Sequence, residues 1–308
     1  MNRIQLLSQA RKHYHSYEQI LFYQRSNFKD HLLRNQHELK WWLGDAVLEK
    51  IEDIDNLPIR TPLDIIEQQL INPPYGMWSK REMVFTSSGS TNNHRKVFPR
   101  SWEDYLRYLI GVARSMENHG VNHDDTVMTT DSRGVFTGHI VIEDAAIHIL
   151  GAPRIRCNST LPTERLQMME QFGVTVFSGS PTKLLTMAKL EPKKHLSKPL
   201  KMVISTGSIL TNTDEISDAF GVNHVTDMYG STEMGNIAWT CNQGNFHVNI
   251  DLCYIEQGRY FSNLSNLPLL RYEQGEELYF SHKGTCACGS NLPTMDRFVG
   301  STIDRRKE

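Results

Sequence analysis

Short apolar segments alternate with helical stretches between residues 83 and 228, and this alternation constrains the fold more than any other feature. The apolar segments have the length and composition of strands at 83–86, 125–130, 153–157, 174–178, 201–205 and 224–228. The helical stretches between them are 101–118, 139–150, 162–172, 181–190 and 211–219. Strands that alternate with helices of this length form βαβ units, which predicts a mostly parallel sheet with flanking helices.

The segments on either side of this core follow different patterns. Residues 2–51 show helical spacing of apolar side chains, and Thr61-Pro62-Leu63-Asp64 is typical of a helix start. After Tyr229, turn signals such as Gln257-Gly258 predict antiparallel strands over 236–283. We therefore predict an α/β fold with layered, mostly parallel sheets, flanking helices and a C-terminal β subdomain.

The expected organisation has three parts. N-terminal helices and a connecting arm occupy residues 1–82, an α/β core binds ligands within 83–235, and a β subdomain occupies 236–308. The N-terminal helices are expected either to cap the core or to form the face of a homodimer.

Charge and cysteine content exclude several classes of protein. Lys and Arg total 33 and Asp and Glu total 35, so the net charge of −2 argues against a dedicated nucleic-acid binder. No apolar run approaches the roughly 18 residues of a membrane span, and the N-terminus lacks the apolar core of a secretory signal. The five cysteines do not resemble a disulfide framework, and metal binding in a cytoplasmic protein explains them better.

A loop rich in Ser, Thr and Asn, Thr86–Lys96, follows the first predicted strand. Hydroxyl and backbone N–H groups bond phosphate oxygens, glycine allows close backbone approach, and the lysine at the far end can neutralise a polyphosphate. The loop lacks the Gly-x-x-x-x-Gly-Lys-Ser/Thr pattern, which excludes the standard nucleoside-triphosphatase loop. Its composition also suits a polar surface loop, so both interpretations stay open on composition alone.

A second candidate segment, Tyr229-Gly230-Ser231-Thr232-Glu233, follows a predicted strand. Mg²⁺ prefers oxygen ligands, commonly one or two carboxylates together with substrate phosphates. Glu233 is therefore a candidate metal ligand, Thr232 a candidate phosphate ligand, and Tyr229 offers a ring face to a planar base. An ordinary turn with a solvated glutamate is the alternative.

Four residues form a candidate zinc site. Cys241 and His247 flank a glycine-containing turn, and Cys286 and Cys288 form a second knuckle. Three Cys and one His are a standard closed zinc set, which leaves no position for water and so indicates a structural role. From spacing alone, buried cysteines and a redox pair remain alternatives.

Several of these segments together resemble the adenylate-forming superfamily, the acyl-CoA synthetases and their relatives. Thr86–Lys96 resembles the family's Ser/Thr/Gly-rich signature, and Tyr229–Glu233 matches its Tyr-Gly-x-Thr-Glu motif. Arg271–Glu276 resembles the Arg-Tyr-x-x-Gly-Asp segment, and Phe298–Asp304 resembles the hinge motif Gly-Arg-x-x-Asp. The resemblance runs from about residue 52 to residue 308.

Two further segments, Leu57–Pro62 and Cys286–Gly289, are similar to the phenylacetate–coenzyme A ligase branch, which has Cys and His at comparable positions. The resemblance implies ATP-dependent activation of a carboxylic acid, aryl or acyl, as an acyl-adenylate. It implies Mg²⁺ and structural Zn²⁺, and a thiol acceptor that is coenzyme A, an acyl carrier protein or a protein cysteine.

Carried over residue by residue, the resemblance also implies the site. The catalytic residues are Lys96, Thr232 and Glu233, with Mg²⁺ on Glu233 and the α-phosphate on Thr232. The residues implied to bind the nucleotide are Ser87, Ser88, Gly89, Ser90, Thr91, Gly207, Ser208, Tyr229, Gly230, Ser231, Arg271 and Glu276. Those implied to border the acid substrate are Phe136, Gly138, His139 and Gly179. The zinc ligands are Cys241, His247, Cys286 and Cys288.

The sequence departs from the family pattern at Asn92, where Gly is usual, at Glu276, where Asp is usual, and at Ser301, where Arg is usual. It ends at Glu308, just past the hinge, where the family continues into a small C-terminal domain. Three interpretations follow: a large lobe that works with a separate small-domain protein, a lobe that makes acyl-adenylates or transfers acyl groups alone, or a non-catalytic nucleotide-, acyl- or partner-binding protein.

Overall fold

The computed structural model describes residues 3–12, 14–34, 48–71, 83–87, 95–130, 138–208, 210–263, 269–282 and 284–299. Its helices are α1 (Arg3–Ala10), α2 (Tyr17–Arg34), α3 (Pro62–Ile71), α4 (Trp102–Asn118), α5 (Gly138–Ala145), α6 (Pro162–Gln171), α7 (Pro181–Ala188) and α8 (Thr213–Phe220). Its strands are β1 (Met83–Thr86), β2 (Val97–Arg100), β3 (Val127–Thr129), β4 (Arg154–Arg156), β5 (Val176–Gly179), β6 (Met202–Thr206), β7 (Thr226–Ser231), β8 (Gly235–Thr240), β9 (Phe246–Val248), β10 (Cys253–Glu256), β11 (Tyr260–Asn263), β12 (Tyr272–Glu273), β13 (Glu277–His282) and β14 (Thr294–Val299). Among the helices of these described ranges, none has the length and hydropathy needed to cross a bilayer.

The described residues divide into two compact units. The first lies within Met1–Lys12, Tyr108–Gly230 and Ala238–His247, and the second within His13–Arg107, Ser231–Ile237 and Val248–Glu308. Helix α4 and strands β7, β8 and β9 contribute residues to both units.

The first unit is built on five parallel strands in the order β7-β6-β5-β3-β4. Val127 lies opposite Arg154 on one side and Val176 on the other, and Ile204 lies opposite Thr226. Helices α5 to α8 connect these strands in turn. Strands β3 and β5 are buried along their whole length, as strands of a parallel sheet covered on both faces must be.

A hydrophobic core joins this sheet to its helices. Phe177 of β5, Val203 of β6, Leu184 of α7 and Phe220 of α8 are all buried in one cluster. The Phe177 and Phe220 rings stack with centroids 5.7 Å apart. Burying each such side chain contributes about 1.5–3 kcal/mol, so a polar replacement at Phe177 would weaken the packing of α7 and α8 against the sheet.

The second unit contains antiparallel strand pairs. Strands β1 and β2 pair from Met83 opposite Arg100 to Thr86 opposite Val97. Strands β10, β11 and β12 form a three-stranded sheet, and β13 pairs with β14. A further isolated bridge joins Arg60 to Tyr272 of β12.

The predicted fold class is confirmed, and the strands and helices from 127 to 231 lie within a few residues of their predicted positions. Residues 83–86 form a strand as predicted, but β1 pairs antiparallel with β2 instead of joining the parallel sheet. Strand β2 was not predicted, because Pro99 within it is unfavourable in a strand. The helix start at Pro62 is confirmed, since Asp64 Oδ2 accepts hydrogen bonds from the Thr61 N–H and hydroxyl.

The predicted turn at Gln257-Gly258 joins β10 and β11. Both residues have positive φ, 53° and 71°, and the turn is closed by the Arg259 N–H, which donates to the Glu256 carbonyl at 3.0 Å. A Cβ on Gly258 would lie 2.1 Å from the Leu278 carbonyl oxygen. Backbone cannot yield as a flexible side chain does, so this position requires glycine for space as well as for φ.

We expect Gly258→Ala to lower the free energy of unfolding by about 3 kcal/mol, because a positive φ and a steric clash add together. Gly120 also has a positive φ, 75°, but a Cβ there would meet nothing within 4 Å. Gly120→Ala should therefore lose only about 1 kcal/mol. Urea denaturation of both variants measures the difference, and equal losses would contradict the clash.

Candidate active site

Lys96 and Glu233 form a buried ion pair in the second unit. Lys96 Nζ lies 2.5 Å from Glu233 Oε1, and the two side chains are 9% and 6% exposed. Lys96 Nζ also donates to the Tyr272 hydroxyl at 2.7 Å, and that hydroxyl donates to Glu233 Oε1 at 3.3 Å. These three side chains, the charge triangle, bring the far end of the Thr86–Lys96 loop together with the candidate metal ligand.

The three side chains of the charge triangle depend on one another. Removing one partner of a buried ion pair leaves an uncompensated charge and typically costs about 3–5 kcal/mol. Burial raises the pKa of Tyr272 well above its usual value, and the negative charge of Glu233 raises it further. Tyr272 therefore stays protonated and can donate to Glu233 while it accepts from Lys96.

Glu233 is held from its backbone as well. Its carbonyl oxygen accepts hydrogen bonds from Arg100 Nη2 at 2.9 Å and from Asn263 Nδ2 at 2.7 Å. Arg100 is 1% exposed and Asn263 is 2% exposed. These two residues lie outside the motifs identified in the sequence, and no local sequence pattern predicts their contact with Glu233.

The two ends of the loop are tied together and lie beside the Thr232–Glu233 segment. The Ser87 N–H donates to the Lys96 carbonyl at 3.0 Å, which extends the pairing of β1 with β2. The Thr232 hydroxyl donates to the Thr86 carbonyl at 3.5 Å. The structure thus brings Ser87, Lys96, Thr232 and Glu233 into one neighbourhood. The predicted residues Ser88, Gly89, Ser90 and Thr91 lie outside the described residues.

Two buried hydroxyls at the start of the loop lack a hydrogen-bond partner among the residues that the structure describes. They are Thr86 Oγ1 and Ser87 Oγ. A buried polar group without a partner costs about 1–3 kcal/mol, which a ligand oxygen would relieve. The Glu233 carboxylate and these hydroxyls are hard oxygen donors, so the residues present suit Mg²⁺ and a phosphate.

The other predicted nucleotide ligands of the second unit are engaged differently. Arg271 makes a bidentate ion pair with Glu256, with Nε–Oε2 at 2.9 Å and Nη2–Oε1 at 2.8 Å. Its Nη1 also donates to the Leu57 carbonyl at 2.5 Å. Ser231 Oγ accepts from the Met234 N–H at 3.1 Å. Glu276 is half-buried, and its negative charge raises the pKa of Tyr272.

In the first unit, four predicted residues lie at the carboxyl ends of neighbouring strands. Gly207 and Ser208 follow β6, and Tyr229 and Gly230 lie near the end of β7, which pairs in parallel with β6. Gly207 has a φ of 95°, which suits glycine at this turn. Ligands of open α/β sheets bind at such strand ends.

Asp227, two residues before Tyr229, was missed by sequence reasoning. Burial raises the pKa of its carboxyl to about 7. Asp227 pairs in register with Ser205, whose hydroxyl is buried without a partner in the described part of the chain. An acidic residue inside a predicted apolar strand is the signal that identifies it.

The predicted acid-binding residues also lie in the first unit. His139 Nδ1 lies 3.0 Å from Ser178 Oγ, and burial lowers the His139 pKa to about 4. A Cβ on Gly179 would lie 3.2 Å from Thr130 Oγ1, so a larger residue there would crowd the strand end. Gly138 begins α5, and Phe136 lies outside the described residues.

A cation near these residues was also missed. Lys183 Nζ donates to the Thr130 carbonyl at 3.1 Å, at the end of β3. Burial lowers the pKa of Lys183.

The candidate zinc ligands lie on two tight turns. The Cys241 N–H donates to the Asn245 carbonyl at 2.8 Å, and the Gln243 N–H donates to Cys241 Sγ at 3.4 Å. In the second turn the Cys286 N–H donates to the Ser290 carbonyl at 2.8 Å. Cys241 and His247 belong to the first unit, and Cys286 and Cys288 belong to the second.

The model of the AMP-binding enzyme family matches residues 82–265, more than half of the 308-residue chain. The chain belongs to this family of AMP-binding enzymes. The matched segment contains the described residues Lys96, Thr232, Glu233 and Tyr229. No curated protein sequence matches the chain.

Solved structures share the fold. 2-Hydroxyisobutyryl-CoA ligase in the postadenylation state with 2-HIB-AMP matches with a TM-score of 0.75 and 18% identity, over 93% of this chain and 68% of that chain. Its open conformation with 2-HIB-AMP and CoA matches with a TM-score of 0.71 and 18% identity, over 87% and 70%. The luciferase-like enzyme of the nonluminescent mealworm Zophobas morio matches with a TM-score of 0.50 and 14% identity, over 70% and 57%.

The buried histidine predicts a pH dependence of stability. Because the folded His139 has a pKa of about 4, below its usual 6.5, the unfolded chain takes up the proton first and stability falls as pH drops through this window. Between pH 7 and pH 5 this one group should cost roughly 2 kcal/mol. His139→Asn cannot titrate but can still bond the Ser178 hydroxyl. Denaturant unfolding at both pH values should show a smaller loss for the variant, and an equal loss would refute the assignment.

Proposed function

We propose that this chain activates a carboxylic acid with ATP to form an acyl-adenylate, for transfer to a thiol. The observation that carries the proposal is the charge triangle, which sets a cation and a carboxylate beside the start of the loop, where two buried hydroxyls lack a partner in the described part of the chain. Membership of the AMP-binding enzyme family supports a nucleotide substrate. The solved ligase with 2-HIB-AMP and CoA, similar in fold, supports an acyl-adenylate and coenzyme A as the acceptor.

The reaction needs positioning and charge neutralisation. A carboxylate oxygen of the acid attacks the α-phosphorus and forms a C–O–P linkage, while the bond from the α-phosphorus to the bridging oxygen breaks and pyrophosphate leaves with the electron pair. Lys96 neutralises the departing pyrophosphate, and Thr232 donates to an α-phosphate oxygen. Magnesium held by Glu233 supplies further charge neutralisation when bound.

The remaining residues are proposed to orient the two substrates. Tyr229 presents its ring to the adenine, beside the turn at Gly207 and Ser208, and Glu276 accepts from the ribose hydroxyls. Arg271 reaches the nucleotide only by exchanging its partner Glu256 for it. Gly138, His139 and Gly179 border the acid.

We place the chain in the phenylacetate–coenzyme A ligase branch, with an aryl acid as the favoured substrate. Support comes from the segment Leu57–Pro62, which pairs with the strand that carries Tyr272. The Arg60 N–H donates to the Arg271 carbonyl at 3.0 Å, and the Glu273 N–H donates to the Arg60 carbonyl at 2.8 Å. The segment that resembles this branch thus braces the charge triangle.

ATP–pyrophosphate exchange with a panel of aryl and fatty acids tests the activity. We expect exchange with at least one acid and a loss of about 100-fold or more in Glu233→Gln, because removal of one charge-stabilising group commonly costs this much. Asp251→Asn is the matched control, since Asp251 is another buried carboxylate that accepts from a tyrosine hydroxyl, that of Tyr14, at 2.5 Å. This control should retain exchange.

Magnesium-dependent ATP binding without exchange for any acid would contradict catalysis and favour the non-catalytic alternative. Equal exchange in the wild type and Glu233→Gln would contradict the role of Glu233.

We also propose that Cys241, His247, Cys286 and Cys288 hold a structural zinc ion. The chemistry of the donor set and the N–H donated to Cys241 Sγ support this proposal, because three Cys and one His are a standard zinc set and thiolate ligands are stabilised by such donors. Four protein ligands leave no position for a reactant.

Metal analysis of protein purified without chelator should find about one zinc per chain, as a closed tetrahedral set binds one ion. Cys286→Ser should lose the metal and lower the melting temperature, because metal binding contributes folding energy. Cys157→Ser changes a buried cysteine outside the set and should keep the metal. Metal-free protein whose melting temperature does not respond to chelator would refute the site.

A further inference from the structure

We propose that Tyr272 is a positioning residue that holds Lys96 toward the nucleotide when Glu233 takes up magnesium. As a consequence, the metal and the triphosphate bind as one coupled unit. This inference rests on the proposed function and adds a residue to it, since Tyr272 has no part in the mechanism above.

Lys96 and Glu233 are each other's counter-ion. Both are buried, and their charged atoms are 2.5 Å apart. The proposed function requires them to separate, Glu233 to a metal and Lys96 to a phosphate. A ligand that satisfies only one of them separates a buried ion pair without replacing the counter-charge of the other. Metal and polyphosphate must therefore arrive together for the pair to open at low cost.

Tyr272 keeps Lys96 in place once Glu233 has turned away. The Tyr272 hydroxyl accepts from Lys96 Nζ at 2.7 Å and makes only a longer bond, 3.3 Å, to Glu233. The shorter bond does not depend on Glu233. Tyr272 thus remains an acceptor for Lys96 throughout the exchange of partners and limits where the ammonium group can go.

Tyr272 itself cannot follow either partner. Its side chain is buried, and the residue is 1% exposed. Its strand is paired on one side with Phe261 of β11 and bridged on the other by Arg60. Because backbone bonds hold Tyr272 on both sides, its hydroxyl keeps its place while Lys96 and Glu233 exchange partners.

The proposal separates ATP from AMP. AMP has only the α-phosphate, which Thr232 contacts in the proposed mechanism. Lys96 instead contacts the β- and γ-phosphates, which only ATP carries. Loss of the Tyr272 hydroxyl should therefore weaken binding of magnesium-ATP and leave AMP unaffected. A residue that merely supported the fold would weaken both nucleotides together.

Calorimetric titration of the full chain with ATP plus Mg²⁺, ATP without Mg²⁺, and AMP provides the test. Tyr272→Phe should weaken magnesium-ATP about tenfold or more, the effect of losing a hydrogen bond to a charged group, with AMP unchanged. Tyr14→Phe is the matched control, since it removes another buried tyrosine hydroxyl bonded to a carboxylate, and it should bind as wild type does. In Lys96→Met, the further change Tyr272→Phe should have no additional effect, because Tyr272 acts through Lys96.

The outcomes distinguish this inference from the proposed function. A wild-type chain that binds no magnesium-ATP would overturn the proposed function and this inference with it. Wild-type binding of magnesium-ATP, with Tyr272→Phe unchanged or weakened equally for AMP, would overturn the role of Tyr272 alone. If Tyr272→Phe does not fold, the wild-type chain alone tests the coupling of metal and triphosphate. Mg²⁺ should raise its affinity for ATP at least about tenfold, which corresponds to a typical coupling free energy of about 1.4 kcal/mol. A smaller rise would overturn the coupling.

Discussion

A buried ion pair between Lys96 and Glu233 organises the candidate active site, because two charges taken out of water must satisfy each other or be satisfied by a ligand. The surrounding contacts hold the pair. Arg100 and Asn263 fix the Glu233 carbonyl, and Tyr272 bonds both charged groups. A ligand that brings both a cation and a polyanion fits this arrangement. The cation takes the place of Lys96 beside Glu233, and the polyanion takes the place of Glu233 beside Lys96. Magnesium-ATP is such a ligand, and membership of the AMP-binding enzyme family is consistent with it.

The local structure explains why these side chains can meet. Strands β1 and β2 pair antiparallel, so the loop between them begins and ends at the same place and returns Lys96 to the side of Ser87. Strand β12 receives a bridge from Arg60 in addition to its pairing with β11, and this places Tyr272 on a braced backbone. Short antiparallel pairs therefore supply the rigidity around the charge triangle.

Much of the fold was predictable from sequence, because parallel strands and crossover helices have local patterns of apolar residues and turn residues such as Gln257-Gly258 have local φ requirements. The site was only partly predictable. Motifs identify Lys96 and Glu233 as residues of interest, but their direct pairing depends on contacts between distant segments. Arg100 reaches Glu233 across 133 positions, and Tyr272 reaches it across 39. Strand β2 was missed because Pro99 masks it, and Asp227 was missed because its strand was interpreted only as apolar.

The central claim is that Lys96 and Glu233 exchange one another for a nucleotide and its metal. A crystal structure of the chain with Mg²⁺ and a non-hydrolysable ATP analogue tests this most directly. We expect the Glu233 carboxylate on the metal and Lys96 Nζ at about 2.7–3.2 Å from a β- or γ-phosphate oxygen, with the Tyr272 hydroxyl still bonded to Lys96. A bound nucleotide with the Lys96–Glu233 pair intact and no metal at Glu233 would contradict the account.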